Sequence, residues 1–484
     1  MPRLSSNYLV NNLYQLLFKQ VNSSALSVFR IGMGAVLFFD CINYGIFLCL
    51  QCDYHDTQLL FKYAGFEWVH PLSTAGLKAV WLAMGVCALG IMLGWYYRLC
   101  MIAFTIGYIY LFLLDQALYL NHFYMVILFC VLMCFIPANR HWAMDARRYA
   151  NDYEDNRGSG SASLMPNWPR FLLGAQLEII LIHAGLVKIN YDWLNLEPLR
   201  LWLTSRSVDE GPLLQFLTQD WGIAVASYGA ILLHLVGAPL LLFRRTRLFA
   251  LAAYAVFHLT NAFVFNIGIF PWFTLFASLL LFDPDWPLQI WNKLRWQFKA
   301  LRQRFPDSPF QAVGAPWRGS GGSSHQVIAI LVTLWLAGQI LIPLRHWVLP
   351  GDVAWNEVGH RFSWRMKLRS KRALVKFQVH ATDANGAVSW TVKPASHLNR
   401  KQSKVMPCIP DMVWQFAQHL DHYYSDQGYD NVEVYADIFC SLNGRKAARF
   451  IRQDVDLTAI SRTTHPDKWI VPLEEPLQNP LFRI

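Results

Sequence analysis

Residues 247–266 read RLFALAAYAVFHLTNAFVFN. After the opening arginine the stretch carries no Asp, Glu, Lys or Arg. Its length matches the roughly 20 apolar residues a helix needs to cross the hydrocarbon core of a bilayer. Three of its polar side chains fall in line: Tyr254, His258 and Asn261 stand at i, i+4 and i+7, on one helical face. Arg244, Arg245 and Arg247 crowd the connection before it, as basic residues do on the cytoplasmic side of a span. The stretch reads as a membrane span with a polar stripe.

Eight further apolar stretches have the same character, near 26–50, 79–96, 98–115, 120–137, 170–189, 224–243, 268–283 and 326–347. Those at 79–96, 120–137 and 268–283 are short. The composition agrees. Of 484 residues 54% are hydrophobic and 15% charged, where a soluble protein carries about 25% charged residues. The mean hydropathy is +0.25. Disorder, a collagen-like repeat and a small disulfide scaffold are excluded.

The net charge of +10 is spent on orientation. Arg98, then Arg140, Arg147, Arg148 and Arg157, then Arg244 to Arg247, then Lys293, Arg295, Lys299, Arg302 and Arg304 fill alternate connections. That set is expected to be cytoplasmic, with the amino terminus inside and, after nine crossings, the carboxy-terminal region outside. A bacterial inner membrane is the expected location, and nucleic acid is not an expected partner. The expected fold is an α-helical polytopic membrane bundle of eight to nine transmembrane helices followed by a small α+β soluble domain. Residues 1–25 form an amphipathic interfacial segment without a signal-peptide cleavage site, 26–350 the bundle, and 351–484 the extracytoplasmic domain.

In that last region Ala373 to Thr382 and Ala387 to Val392 alternate apolar and polar residues across Asp383-Ala-Asn-Gly386, a hairpin pattern. Pro410 and Asp411 open a helix through Tyr424. Val432 to Phe439 is expected to pair with Arg445 to Ile451 across Asn443-Gly444. Cys408 and Cys440 are a possible bridge that sequence leaves open. Cys49 and Cys52 form a C-x-x-C at a helix carboxy end, where the thiol gains nothing from the helix dipole, so a redox role is disfavoured. No Cys/His grouping has metal-ligand spacing, and no metal is expected.

Ionisable groups inside spans are costly and are default functional candidates. Besides the 254–261 stripe, Asn121 and His122 open the fourth span, and Lys188 closes the fifth, with Trp193 beyond it. Each also has a plain structural reading. A terminal lysine ordinarily snorkels to the headgroups, and Tyr254, His258 and Asn261 serve equally well as interhelical contacts. Loop charges put all of these residues on the extracytoplasmic half of the bundle. An amine shielded there by apolar helices has its charged form disfavoured, which suits removal of a proton from a lipid-soluble acid such as a quinol.

The segment Gly185-Leu-Val-Lys-Ile-Asn-Tyr-Asp-Trp193 resembles that around the catalytic lysine of vitamin K-dependent gamma-carboxylase. Asn121-His122 is similar to that family's Asn-His pair, and Phe257-His258-Leu-Thr-Asn261 with Gly268-Ile-Phe270 to its later histidine motif. Trp355 through Trp364-Arg365-Met366, Ala436-Asp-Ile438 and Trp469-Ile-Val-Pro472 extend the resemblance over most of the chain. It implies that Lys188 deprotonates reduced vitamin K or menaquinol, to which oxygen adds. The strong base so formed takes a γ-proton from a glutamate of a peptide or protein, and CO2 captures the carbanion. His122 would stabilise the oxygenated species. Asn121, His258, Asn261, Tyr254 and Trp193 would line the quinol site, and Trp355, Trp364 and Arg365 the glutamate region. Val187 departs from the animal enzyme, which has a second lysine there, and Asn190 replaces an acidic residue. Two rival readings stay open: quinol epoxidation without carboxylation, and a non-catalytic membrane assembly protein that keeps the fold. A transporter is disfavoured, because no internal repeat is visible.

Overall fold

The computed structural model describes residues 6–43, 54, 57–151, 164–205, 212–265, 267–297, 322–462, 468–478 and 480–481. Cys49, Cys52, Arg157, the Gly158–Ser163 connection and the first half of Gly319–Ser324 lie outside the described residues.

Among the described residues seven helices are long and apolar enough to cross a membrane. With two shorter apolar helices they account for each stretch read from the sequence. A short amino-terminal helix, α1 (Ser6–Phe18), precedes them. They are α2 (Ser24–Ile42), α3 (Thr74–Leu93), α4 (Tyr97–Leu114), the shorter α5 (Asn121–Phe135), α6 (Trp168–Leu186), α8 (Asp220–Leu242), α9 (Arg247–Phe265), the shorter α10 (Phe270–Leu281) and α11 (Gly322–Leu344). A four-residue helix, α7 (Tyr191–Leu194), follows the elbow after α6.

Local chemistry explains the ends. Ser73 caps α3 by accepting from the Gly76 amide, and Gly94 ends it in the left-handed conformation (φ 64°). Arg30 is fully buried in α2, yet its guanidinium donates to the carbonyls of Ile91, Met92 and Trp142 at 2.6–2.9 Å. It thereby satisfies the carbonyls that a helix carboxy end leaves unpaired and sits at the negative end of the α3 dipole. Asp145 takes the complementary position, accepting from the amides of Tyr96 and Tyr97 at the start of α4. In α2, a Cβ on Gly34 would fall 2.5 Å from the Met92 nitrogen, so this crossing requires a small residue.

The carboxy-terminal domain is a four-stranded antiparallel sheet in the order β4-β3-β5-β6, with β3 Lys371–Asp383, β4 Gly386–Val392, β5 Asp430–Leu442 and β6 Ala448–Arg449. (β1, Gln20–Asn22, and β2, Leu164–Pro166, form a separate small pair.) The hairpin of β3 and β4 follows the alternation of the sequence. The strand expected over 445–451 is corrected: it pairs only at Ala448 and Arg449, because Arg445 turns away from the sheet toward the bundle. A helix, α12 (Pro410–Ser425), lays Met412, Val413, Phe416 and Leu420 on the sheet, with Phe416 packed edge-on against Phe377. Cys408 and Cys440 are disulfide-bonded beneath it. The domain docks on one end of the bundle, where Gln402 donates to Asp115 (2.7 Å) and Asp411 accepts from Gln116 (2.6 Å). Phe61 and Ala117, from connections of the bundle, enter the domain's core.

Candidate functional site

Between α5, the α6 elbow, α8, α9 and segment 360–369 of the carboxy-terminal domain lies a cavity of about 1550 Å³. Its walls are mainly apolar. Several lining residues, among them Val225, Leu232, Phe249 and Val256, are also exposed on the lipid-facing surface of α8 and α9, so the cavity opens sideways between these helices.

Lys188 lines this cavity although only 5% of its surface is exposed. The α6 helix stops at Leu186, and Lys188 sits in the turn that follows. There Nζ donates to the Ala184 carbonyl (2.7 Å) and lies 5.4 Å from the Trp193 ring centre. Among the described residues the amine forms no ion pair. Asn190 shapes the elbow from both ends of its amide: Oδ1 accepts from the Trp193 amide (3.0 Å), and Nδ2 donates to the Val187 carbonyl (2.8 Å). A carboxylate could do only the first, which gives the Asn190 departure a structural reason. Val187 is buried in an apolar cluster with Trp193, Ala230 and Leu368. Trp193 is fixed by reciprocal bonds with Ser227 on α8, its Nε1 donating to the Ser227 carbonyl and the Ser227 hydroxyl donating to the Trp193 carbonyl, both at 3.1 Å.

Opposite stand Asn121 and His122 at the start of α5, both half-buried lining residues. Asn121 Oδ1 accepts from the Tyr119 hydroxyl (3.1 Å), which in turn accepts from the Phe362 amide (2.8 Å). This chain of bonds ties the domain segment to the head of α5. Asn261 also lines the cavity, its amide donating to the Phe257 carbonyl (2.9 Å).

The rest of the 254–261 stripe does not reach the lining. His258 and Tyr254, each 1% exposed, stack on one another with ring centres 5.7 Å apart, and the Tyr254 hydroxyl donates to Leu233. They form the layer behind the wall. Trp355 and Trp364 of the expected glutamate region also lie outside the lining. Trp355 is in the domain core, packed edge-on against Phe450 with Nε1 donating to Val471 (2.8 Å). Trp364 is fully buried against Tyr124 (5.1 Å). Both are large aromatics used for packing, and of the three residues expected there only Arg365 faces the cavity.

Sequence reasoning passed over His234. A π-helical turn at Leu233–Gly237 interrupts α8 and carries this histidine into the lining. Pro239 follows within the helix, and its missing N–H and ring clash are a standard cause of such a widened turn. Nδ1 of His234 lies 2.6 Å from the Ala230 carbonyl and so carries the proton, leaving Nε2 as the acceptor. A lone histidine five residues before a proline in an apolar run was the available signal.

The domain side of the cavity is cationic. His360, Arg365, Lys367 and Arg369 line it, whereas Asp40 is the single acidic residue of the lining. Burial pushes Arg365 down to about 10, still charged at neutral pH. His360 accepts from Arg369 Nε (3.2 Å), and burial beside several cations holds its pKa well below the usual range, so it is neutral. Glu357 supports this rim from behind, bridging Arg369 (3.0 Å) and Lys371 (2.8 Å). Among the described residues no group of three His, Cys, Asp or Glu side chains gathers as a metal cluster.

The model of the HTTM domain matches residues 18–286, and that of the vitamin K-dependent gamma-carboxylase lumenal domain matches 324–476. The chain belongs to the vitamin K-dependent gamma-carboxylase family. It is therefore a multi-pass membrane protein of that family, and both matched regions contribute to the cavity. No solved structure matches the chain.

Proposed function

We propose that the chain is a gamma-glutamyl carboxylase-like enzyme that couples quinol epoxidation by O2 to removal of a glutamate γ-proton and addition of CO2. The observation that carries this reading is Lys188: a buried amine without an ion-pair partner, on the wall of an apolar cavity that is open to lipid on one side and cationic on the other. Reduced vitamin K or menaquinol fits such a space, since a ring with an apolar tail needs an apolar volume reached from the bilayer. Reaction of the quinol with oxygen supplies a base strong enough to deprotonate carbon.

The chain's own residues do the rest. Lys188 takes and holds a hydroxyl proton at Nζ, an amine that donates to the Ala184 carbonyl and has no ion pair among the described residues. Trp193 covers the amine and keeps water from it. His122 and His234, from opposite walls, provide imidazole nitrogens at the same cavity, and Asn261 adds an amide. Arg365, Lys367 and Arg369 offer the charge complement of a glutamate carboxylate entering from the domain side. The proposed location is a bacterial inner membrane with the site on its extracytoplasmic half, and the loop charges support that orientation.

The test is direct. Purified protein given quinol, O2 and labelled bicarbonate with a glutamyl peptide yields quinone epoxide and labelled peptide, and Lys188→Met abolishes both. Equal epoxide formation by mutant and wild type rejects Lys188 as the base. Epoxide without label identifies an epoxidase.

A further inference from the structure

Four residues after Lys188, Asp192 makes a contact that the chemistry above does not use. Its carboxylate receives both terminal nitrogens of Arg445, at 2.7 and 2.6 Å, and Asn443 Nδ2 at 2.7 Å. The partners are 251 and 253 residues away in sequence, in the turn after β5. All three residues are buried, none more than 9% exposed. Arg445 is held from behind, Nε donating to the Glu475 carbonyl and Nη1 also to that of Leu442. Asn443 in turn clamps the cavity-lining segment: Oδ1 accepts from the Ser370 amide (2.7 Å), and Nδ2 also reaches the Leu368 carbonyl (3.3 Å).

We propose that Asp192, Arg445 and Asn443 form a latch through which the carboxy-terminal domain holds the Lys188 elbow in place, with Asp192 as a positioning residue. The elbow needs it. Between the end of α6 and Trp193 the chain is held by short-range bonds, those of the Lys188, Ile189 and Asn190 amides and of the Asn190 side chain, and by one short helix. Asp192 lies in that helix, and its backbone carbonyl accepts from Asn195 and Glu197. Its neighbour Trp193 covers the amine. A bidentate pair buried on both sides is directional, and loss of either partner strands the other charge. The same latch fixes Leu368 against Val187 and Trp193, so the cationic rim and the amine are set by one contact. The proposal rests on reading Lys188 as the base for its catalytic meaning, but not for its test.

The test is amine labelling of the full chain in detergent with acetic anhydride, followed by mass spectrometry of the Lys188 and Lys371 peptides. Lys371 is the internal reference, because its side chain is also buried (6% exposed) but bonded within the domain to Glu357 and to the carbonyls of Trp355 and Cys408. In wild type both label slowly. Asp192→Asn and Arg445→Gln each raise the Lys188 rate at least tenfold and leave Lys371 unchanged, and the double variant does no more than either single one. Lys188 remaining protected in the folded variants overturns the latch. So does a parallel rise at both lysines, which would mean general loosening of the domain. If Asp192→Asn does not fold, Arg445→Lys keeps a single-point contact and is expected to expose Lys188 partially, and full protection there overturns the proposal. Wild-type protein that makes no epoxide would defeat the catalytic reading while leaving this labelling result to stand or fall alone.

Discussion

Trp193 separates a shielding role from a merely structural one. The ring faces the Lys188 amine at 5.4 Å, only 4% of the residue is exposed, and Nε1 donates to the Ser227 carbonyl. Replacement by phenylalanine keeps an aromatic face toward the amine and removes one hydrogen bond, a loss of about 1 kcal/mol. If all of that loss fell on the transition state, the rate would drop about fivefold, since 1.36 kcal/mol is tenfold. Replacement by alanine removes the whole indole, about 3–5 kcal/mol of packing, beside a cavity through which water can enter. At about 2–4 °C per kcal/mol the melting point should fall by roughly 10 °C. Epoxide formation should fall much further than in the phenylalanine variant, by about a hundredfold or more in kcat/KM, equivalent to some 2.7 kcal/mol. The assay is epoxide yield by chromatography at a temperature where each variant is folded by thermal denaturation in the same detergent. A folded Trp193→Ala protein with wild-type turnover would refute the shielding argument. Equal damage in both variants would assign the effect to the indole N–H instead of the ring.

Three further outcomes follow from the domain. Arg365→Gln, which removes a buried cation from the cavity rim, should raise KM for a glutamyl peptide about tenfold and leave the quinol KM within twofold, as read from carboxylation kinetics. His397 and His419 face each other at 3.2 Å, and burial lowers both, His419 to about 4. The folded state therefore takes up protons less readily than the unfolded chain. Stability is full above about pH 6.5 and is lost as the pH falls toward about 4; urea denaturation at pH 7.5 and 5 should show the decline, reduced in His419→Gln. Cys408→Ser with Cys440→Ser opens a bridge spanning 32 residues and should cost the domain about 2–4 kcal/mol, seen as faster limited proteolysis of residues 351–484 in the double variant.

How far the sequence could be read depended on the range of each interaction. Spans follow from local hydropathy because lipid imposes a length and forbids unpaired backbone, so the nine apolar stretches recur as nine helices among the described residues. The β3–β4 hairpin follows from alternation around Asp383-Ala-Asn-Gly386, again a local rule. Arg30 was illegible, since a cation within a span has no sequence partner when its acceptors are three backbone carbonyls. Lys188, Asn121, His122, Asn261, Trp193 and Arg365 share one cavity, whereas His258 and Tyr254 stand behind it: helical spacing defines a face but not which neighbour that face meets. Trp355 and Trp364 fall in the stretch that resembles the family's glutamate-substrate region. Their rings are spent on packing.

The position of the cavity at a bundle–domain junction is itself an argument about substrates. The two substrates proposed above, a quinol with an apolar tail and a peptide glutamate, favour opposite solvents, and on that proposal each would reach this space from its own phase. The groove lies between the exposed apolar faces of α8 and α9, and the rim from His360 to Arg369 belongs to the carboxy-terminal domain. The two walls are also mechanically joined twice. The Phe362–Tyr119–Asn121 hydrogen-bond chain links the rim to the wall that carries His122, and the Asp192–Arg445–Asn443 cluster links it to the wall that carries Lys188. The rim is thus hydrogen-bonded to the head of α5 and, through Asn443, to the elbow after α6. That makes the soluble domain part of the site, and it explains why a lysine embedded among helices would depend on residues more than 250 positions away.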